Sequence, residues 1–307
     1  MVGWGLILAG GEGTRLLPLT RRIAGDERPK QFCRILGPET LLEQTRRRSA
    51  LVIPPEQTIV VVTRSHERFY APLLGDVPPR CAVVQPENRG TAPAILYGLL
   101  RICAVGPMDA VAVFPSDHYV SDDDGFMAHV QAAFGAVDAR PDLAILLGIT
   151  PESAEVEYGW IEPAEPIPAP EPAPLYRVGR FWEKPSPLRA RMLLARGCLW
   201  NTFVMVARVP ALLTLIRHAM PGLYYSFAAV TPAIDTLLEG EAIRTLYSKI
   251  PSTNFCREVL AMRPANLAVL PVSGVSWSDL GNPRRVMATL SRARIHTEWA
   301  ESVATAA

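Results

Sequence analysis

Three glycines within four positions, Gly10, Gly11 and Gly13, follow directly on the apolar run 5–9 and lead into Thr14 and Arg15. Glycines at the end of a first strand let the backbone approach a ligand closely and aim successive N–H groups at phosphate oxygens. No Gly-Lys-Ser/Thr closes the loop and the dinucleotide-fingerprint spacing is absent, so neither a P-loop nor a Rossmann cofactor site fits. Taken alone, the glycines suit a tight structural turn equally well. The cations downstream tilt the reading towards an anion. Arg15 is followed by Arg28-Pro29-Lys30-Gln31-Phe32, and between Glu12 and Arg34 six basic residues stand against three acidic ones, in a chain of net charge +1. Backbone donors, a guanidinium and a lysine together suit a polyphosphate.

Only three of the 31 basic residues are lysine: Lys30, Lys184 and Lys249. A lysine kept where arginine is the rule points to a need for a compact point charge. Two aspartates are candidates of the same kind. Asp117 follows the apolar run 110–114, and Asp279 lies in Trp277-Ser278-Asp279 beyond another apolar run. On its own, an Asp after a strand is most often a turn or cap residue.

The elements that must position these groups follow from periodicity. Runs 5–9, 58–62, 81–84, 110–114 and 143–147 read as buried strands, and 40–51, 91–103 and 126–137 have helical length and pattern. Strands alternating with helices predict an α/β fold, a Rossmann-like, mostly parallel mixed sheet covered by helices on both faces. Its ligands bind beyond the carboxyl ends of the strands. Further on, 158–162 and 177–182 read as paired strands flanking 163–174, where six of twelve residues are proline; that insert predicts a solvated polyproline excursion. Helices are expected at 188–194, 211–218, 234–238, 255–262 and 284–294, and a short strand at 267–270. With no repeat and no linker, one domain is expected over 1–307.

The near-neutral charge argues against a nucleic-acid protein, and no apolar run approaches the ~20 residues of a membrane helix. The apolar start has no basic n-region, so a first strand is expected there rather than a signal peptide. Five scattered cysteines without a CxxC make a zinc site or disulfide framework a poor fit and suggest a reducing, cytoplasmic setting.

Leu8-Ala9-Gly10-Gly11-Glu12-Gly13-Thr14-Arg15-Leu16-Leu17-Pro18-Leu19-Thr20 with Pro29-Lys30-Gln31-Phe32 resembles the signature of sugar-1-phosphate nucleotidylyltransferases, in its mannose-1-phosphate guanylyltransferase branch. In the same order come Gln85-Pro86, Asn88-Arg89-Gly90-Thr91-Ala92-Pro93-Ala94, Pro115-Ser116-Asp117-His118, Tyr158-Gly159-Trp160-Ile161, Trp182-Glu183-Lys184-Pro185, Trp200-Asn201-Thr202 and Trp277-Ser278-Asp279-Leu280-Gly281. The resemblance spans about residues 5–290 and implies a GT-A-like nucleotidyltransferase fold. It also implies that a sugar 1-phosphate attacks the α-phosphorus of an NTP and releases pyrophosphate.

By this resemblance Arg15 and Lys30 hold the triphosphate. Leu8, Ala9, Gly10, Gly11, Gly13, Thr14 and Ser116 line the nucleotide, and Gln85, Gly90, Thr91 and Ala92 contact the base. Asp117 and Asp279 would hold Mg²⁺, Lys184 would take the sugar phosphate, and Gly159, Glu183 and Asn201 the sugar. His118 is expected to be structural, because a phosphate nucleophile needs no base. Three departures concern sugar and base recognition: Ser252-Thr253-Asn254-Phe255 where a Ser-Ile-Asp-Tyr-like element is usual, Thr202-Phe203 for Ser-Gly, and Gln85 for a glutamate. GTP with mannose 1-phosphate is the leading substrate pair. UTP or dTTP with glucose 1-phosphate, and a non-catalytic sugar-nucleotide-binding homologue, are the alternatives. The partners are small molecules, with a homodimer as one assembly, and a single activity is expected of a chain ending near Ala307.

Overall fold

The computed structural model describes residues 3–168 and 174–300. In chain order its strands are β1 (Trp4–Leu8), β2 (Thr58–Thr63), β3 (Ala82–Gln85), β4 (Ala110–Pro115), β5 (Tyr119–Val120), β6 (Ala144–Ile149), β7 (Gly159–Ile167), β8 (Leu175–Glu183), β9 (Leu199–Arg208), β10 (Leu267–Val272) and β11 (Trp277–Ser278). Its helices are α1 (Leu17–Ala24), α2 (Leu41–Ser49), α3 (Glu67–Tyr70), α4 (Thr91–Cys103), α5 (Asp123–Ala139), α6 (Pro187–Ala195), α7 (Val209–Ala219), α8 (Pro221–Ala228), α9 (Glu239–Tyr247) and α10 (Pro283–Ala293).

Nine strands form one sheet in the order β3-β2-β1-β4-β9-β6-β10-β8-β7. The first four are mutually parallel. Strand β9 then runs antiparallel to both β4 and β6, while β6 and β10 are parallel. Side chains alternate across the sheet as the pleat requires. Leu6, Ile59, Val61, Val111 and Val113 pack with α4 and α7 on one face. Ile7, Val60, Val62, Ala112 and Phe114 pack with Phe126, Met127 and Val130 of α5 on the other. Burial on both faces explains why these runs are apolar throughout rather than alternating.

A third, smaller cluster bears directly on function. Leu280, Val286 and Leu290 of the C-terminal segment pack on Leu16, Cys33, Ile35, Leu36 and Leu41, which flank the glycine loop and Lys30. Helix α10 is started by Asn282, whose side chain accepts from Arg285 N–H, with Pro283 in its first turn. The two ends of the chain are thus fastened together beside the parallel strand ends.

Four expectations are corrected. Residues 199–208, between the expected helices 188–194 and 211–218 and given no strand there, form the central strand β9; buried on both faces and bulged between Asn201 and Met205, it carries no period-2 pattern to read. The arms of the proline-rich segment are sheet, with Pro163 opposite Val178 and Ile167 opposite Leu175; a hairpin at the sheet's edge tolerates prolines because their missing N–H need not face a partner. The middle of that expected excursion lies outside the described residues. Residues 234–238 are turns, and helix α9 begins only at Glu239. Finally, 255–262 is not an ordinary α-helix, since Cys256–Leu260 is wound as a π-helix.

Candidate active site

The glycine loop is held from behind by its carbonyl oxygens. Gln31 Nε2 donates to Ala9 O (3.1 Å) and Gly11 O (2.7 Å), and Thr63 Oγ1 donates to Gly10 O (3.0 Å). With these acceptors consumed inside, the amides of Gly10, Gly11, Glu12 and Gly13 have no protein acceptor among the described residues. That is the arrangement an anion site needs. Gly13 has φ +62°, and a Cβ there would lie 3.1 Å from Lys30 N, so this glycine lets the loop close on the Lys30 segment. A Cβ on Gly10 would meet Gln85 Nε2 at 2.6 Å. Gln85 itself is buried at the end of β3 and accepts from the Tyr247 hydroxyl at 2.9 Å, which turns its amide nitrogen towards the loop.

Asp117 and Asp279, far apart in sequence, are brought together by a two-stranded ribbon that no local pattern announced. Strand β5 follows Asp117-His118 and β11 precedes Asp279, and they pair antiparallel with Ser278 opposite Tyr119. Lys30 Nζ lies between them, 3.3 Å from Asp117 Oδ2 and donating to the Asp279 carbonyl. Burial raises the Asp279 carboxyl above its ordinary range; Lys30 and the Gly281 amide pull it down, and the Asp117 charge adds to the rise. Two carboxylates close enough to repel suit a small hard cation, which takes one or two carboxylates together with phosphate oxygens and water. Among the described residues no group of three or more His, Cys, Asp or Glu forms a metal cluster, so any ion here must draw further ligands from substrate or water. Burial pushes the His118 imidazole down to about 4, so it is neutral at pH 7 and packs edge-on against Trp277.

Thr14, Arg15, Lys30 and Gly281 line a cavity of about 170 Å³ here. Two residues passed over in the sequence stand beside it. Arg285 sits 3.0 Å from Asp279 Oδ1 and lies over the Tyr158 ring, 4.7 Å from its centroid. Glu157 accepts from Arg15 Nη1 (2.9 Å), from Asn282 Nδ2 (3.1 Å) and from Arg285. Their separations along the chain, 142, 125 and 128 positions, left no local signal.

The sugar-side candidates assemble at the paired start of β7 and end of β8. Gly159 is opposite Glu183, and a Cβ on Gly159 would lie 3.2 Å from Glu183 Oε2 and 3.3 Å from the Asn201 Cβ. Burial raises the Glu183 carboxyl, against the pull of Lys184 and of Arg257, a cation the sequence reading did not single out. Lys184 is exposed, its N–H donates to Tyr158 O, and it has φ +48°. Of five non-glycine residues with positive φ among the described residues, three border these motifs: Lys184, Phe203 and Leu280. Backbone strain of this kind collects where a surrounding structure over-determines a site. The Asn201 amide is turned inward, accepting from Phe203 N and facing Cys256 Sγ.

The Gly90-Thr91-Ala92 turn is clamped to the 252–255 segment. Thr253 N donates to Arg89 O, and Phe255 N donates to Thr91 Oγ1. Gly90 has φ +84° and an added Cβ would fall 2.3 Å from Thr253 O. Gly90→Ala is therefore expected to cost about 2–4 kcal/mol of stability. Urea denaturation measures it, and an unchanged midpoint would contradict the close approach. Leu8 and Ser116 meet at the strand ends, Ser116 N donating to Leu8 O, and Ala9 N donates to Val61 O. Lys249 lies away from this cluster, exposed at the end of α9 on the rim of a separate, mainly apolar cavity of about 910 Å³.

Open amides at the carboxyl end of β1, flanked by lysine, arginine and paired aspartates on a doubly covered sheet, are the arrangement of an anion-binding α/β protein. The chain belongs to the nucleotidyl transferase family, whose model matches residues 4–292. It is 31% identical over 288 residues to the xanthan biosynthesis protein XanB of Xanthomonas campestris pv. campestris, covering 90% of this chain and 57% of that one. It is 27% identical over 287 residues to a mannose-1-phosphate guanylyltransferase of Escherichia coli, covering 90% and 58%. The chain thus spans a little over half the length of these relatives. The crystal structure of mannose-1-phosphate geranyltransferase from Thermus thermophilus superposes with a TM-score of 0.81 at 27% identity, over 97% of this chain and 80% of that one. Among the described residues no helix is long and apolar enough to cross a membrane.

Proposed function

We infer that this protein transfers a nucleotidyl group from an NTP to a sugar 1-phosphate with release of pyrophosphate, using GTP and α-D-mannose 1-phosphate to make GDP-mannose. The observation that carries the reading is a cavity lined by Gly13, Thr14, Arg15 and Lys30 at the glycine loop, with Asp117 and the Asp279 backbone held against the Lys30 ammonium. The likeness to a mannose-1-phosphate guanylyltransferase supports the choice of substrates. Both reactants are anions, so the enzyme's task is to align them and to offset charge as it moves onto the leaving pyrophosphate.

In this reading the amides of Gly10, Gly11 and Gly13 and the Thr14 turn bind the triphosphate, and Arg15 and Lys30 stabilise the leaving group. Leu8, Ala9 and Ser116 form the floor at the strand ends. Gln85, its amide oriented by Tyr247, and the Gly90-Thr91-Ala92 turn face the base. Asp117 and Asp279 hold Mg²⁺, which supplies charge neutralisation between phosphates when bound. Glu183, Gly159 and Asn201 shape the sugar site, and the Lys184 ammonium, with no ion pair among the described residues, is free to meet the sugar phosphate.

Pyrophosphate release measured with Mg²⁺ for GTP, UTP, dTTP, ATP and CTP against mannose, glucose and N-acetylglucosamine 1-phosphates tests the assignment. A dominant response for GTP with mannose 1-phosphate is expected. Dominance of UTP or dTTP with glucose 1-phosphate would overturn the substrate assignment and give Phe203 and Asn254 meaning as specificity changes. Silence across the panel with nucleotide binding intact would favour a non-catalytic homologue. Lys184→Ala should raise KM for the sugar 1-phosphate about tenfold or more while leaving KM for the nucleotide unchanged. Unchanged kinetics in that variant would remove Lys184 from the site.

A further inference from the structure

The two cations that line the cavity, Arg15 and Lys30, belong to a cluster of ion pairs beside it. Three cations, Arg15, Lys30 and Arg285, stand against three carboxylates, Asp117, Asp279 and Glu157, and each cation is paired: Lys30 with Asp117, Arg285 with Asp279 and Glu157, and Arg15 with Glu157. Until a pair opens, each cation is partly neutralised by its partner, and the pairs differ in how firmly they are held. Lys30 and Arg285 are nearly enclosed, with about a tenth of each side chain exposed, whereas Arg15 and Glu157 are 53% and 37% exposed. The Arg15–Glu157 pair is therefore the weakly held one, since water screens it and both side chains retain freedom. Glu157 has other donors to keep it in place once Arg15 leaves, namely Asn282 Nδ2 and Arg285. Arg15 has no second acceptor among the described residues, and it lines the cavity.

We propose that Glu157 is a positioning residue that parks Arg15 when no polyphosphate is bound and takes it back when pyrophosphate departs. Triphosphate oxygens, carrying more charge than one carboxylate, draw Arg15 off Glu157; as pyrophosphate leaves, Glu157 competes for the guanidinium and assists release. Glu157 thereby weakens polyphosphate binding and speeds turnover. This makes it unlike the other polar residues of the site, whose loss should weaken binding. The geometry also explains why a carboxylate sits at the edge of a site built for anions, where Asn282, Arg285 and Arg15 hold it from three sides. The proposal rests on the nucleotidyl-transfer reading for its turnover part, but its binding part does not need the reaction.

The test is direct titration of the whole protein with GTP and with inorganic pyrophosphate, without sugar phosphate, comparing wild type with Glu157→Gln, Arg15→Ala and the double variant. Steady-state kinetics follow on the same samples. Glu157→Gln, which keeps the shape and the Asn282 contact, is expected to bind pyrophosphate and GTP about three- to fivefold more tightly, the size of effect a half-exposed ion pair permits. Its kcat should fall while KM for the nucleotide falls with it, a split that loss of structural support would not produce. In the Arg15→Ala background the tightening should vanish, because Glu157 acts through Arg15. Unchanged or weaker binding by a folded Glu157→Gln overturns the proposal, and so does tightening that survives Arg15→Ala. Should Glu157→Gln unfold, the pyrophosphate affinity of Glu157→Asp decides. That shorter carboxylate draws back from Arg15 and should bind more tightly; unchanged or weaker binding by the folded variant overturns the proposal. Wild type that binds both ligands but turns over no NTP would remove the transfer reading while leaving the binding comparison valid.

Discussion

Lys30→Met should lower kcat by about 10²–10³, because it removes a preorganised cation from a nearly enclosed site where phosphate charge develops. Methionine keeps the length of the stem, so the loss reports the charge rather than the packing. The ammonium is 3.3 Å from Asp117 and donates to the Asp279 backbone, and the side chain is only 11% exposed. Lys30→Arg should recover little. A planar guanidinium does not fit where the compact Lys30 ammonium meets both the Asp117 carboxylate and the Asp279 carbonyl. That result would also explain why lysine survives here in a chain that uses arginine at 28 of its 31 basic positions. Steady-state kinetics of both variants are the check. Activity of Lys30→Met within threefold of wild type would exclude the lysine from catalysis.

The second large effect is expected of Asp117→Asn. Replacing this carboxylate by an isosteric amide halves the charge available to a divalent ion, and turnover should collapse by about 10³ or more at ordinary Mg²⁺ concentration. Stability should fall only modestly, because the side chain is 23% exposed, His118 beside it is held neutral by burial, and Lys30 keeps its hydrogen bond to the Asp279 carbonyl. A magnesium titration followed by pyrophosphate release, alongside thermal denaturation, separates the two effects. Full activity at unaltered Mg²⁺ demand would sink the assignment of Asp117 as a metal ligand.

How far the sequence could be read depended on the range of the interactions. Helix α4 falls on the expected 91–103, because it is an uninterrupted apolar-faced run entered through Gly90. Helix α2 is announced by a local device, the Thr40–Glu43 capping box. The early strands were legible because buried parallel strands are apolar at every position. Strand β9 was not, since its polar Asn201-Thr202 and the bulge after them break the pattern, and the proline-rich arms were hidden by residues that local propensity assigns to loops. The glycine loop, both aspartates and two lysines stood out as motifs. The ribbon joining β5 to β11, the Tyr247–Gln85 bond and the Glu157–Arg285 pair are contacts between residues more than 120 positions apart, and a single sequence carries no mark of them.

Displacement of pyrophosphate from the α-phosphorus of an NTP by a sugar 1-phosphate can be followed by phosphorus-31 NMR of the full chain with GTP, mannose 1-phosphate and Mg²⁺. Equal growth of a pyrophosphate signal and of the paired resonances of a new diphosphate diester is expected, with mannose 1-phosphate consumed in step. Orthophosphate with GDP in place of pyrophosphate, or GTP consumed while mannose 1-phosphate stays intact, would contradict it.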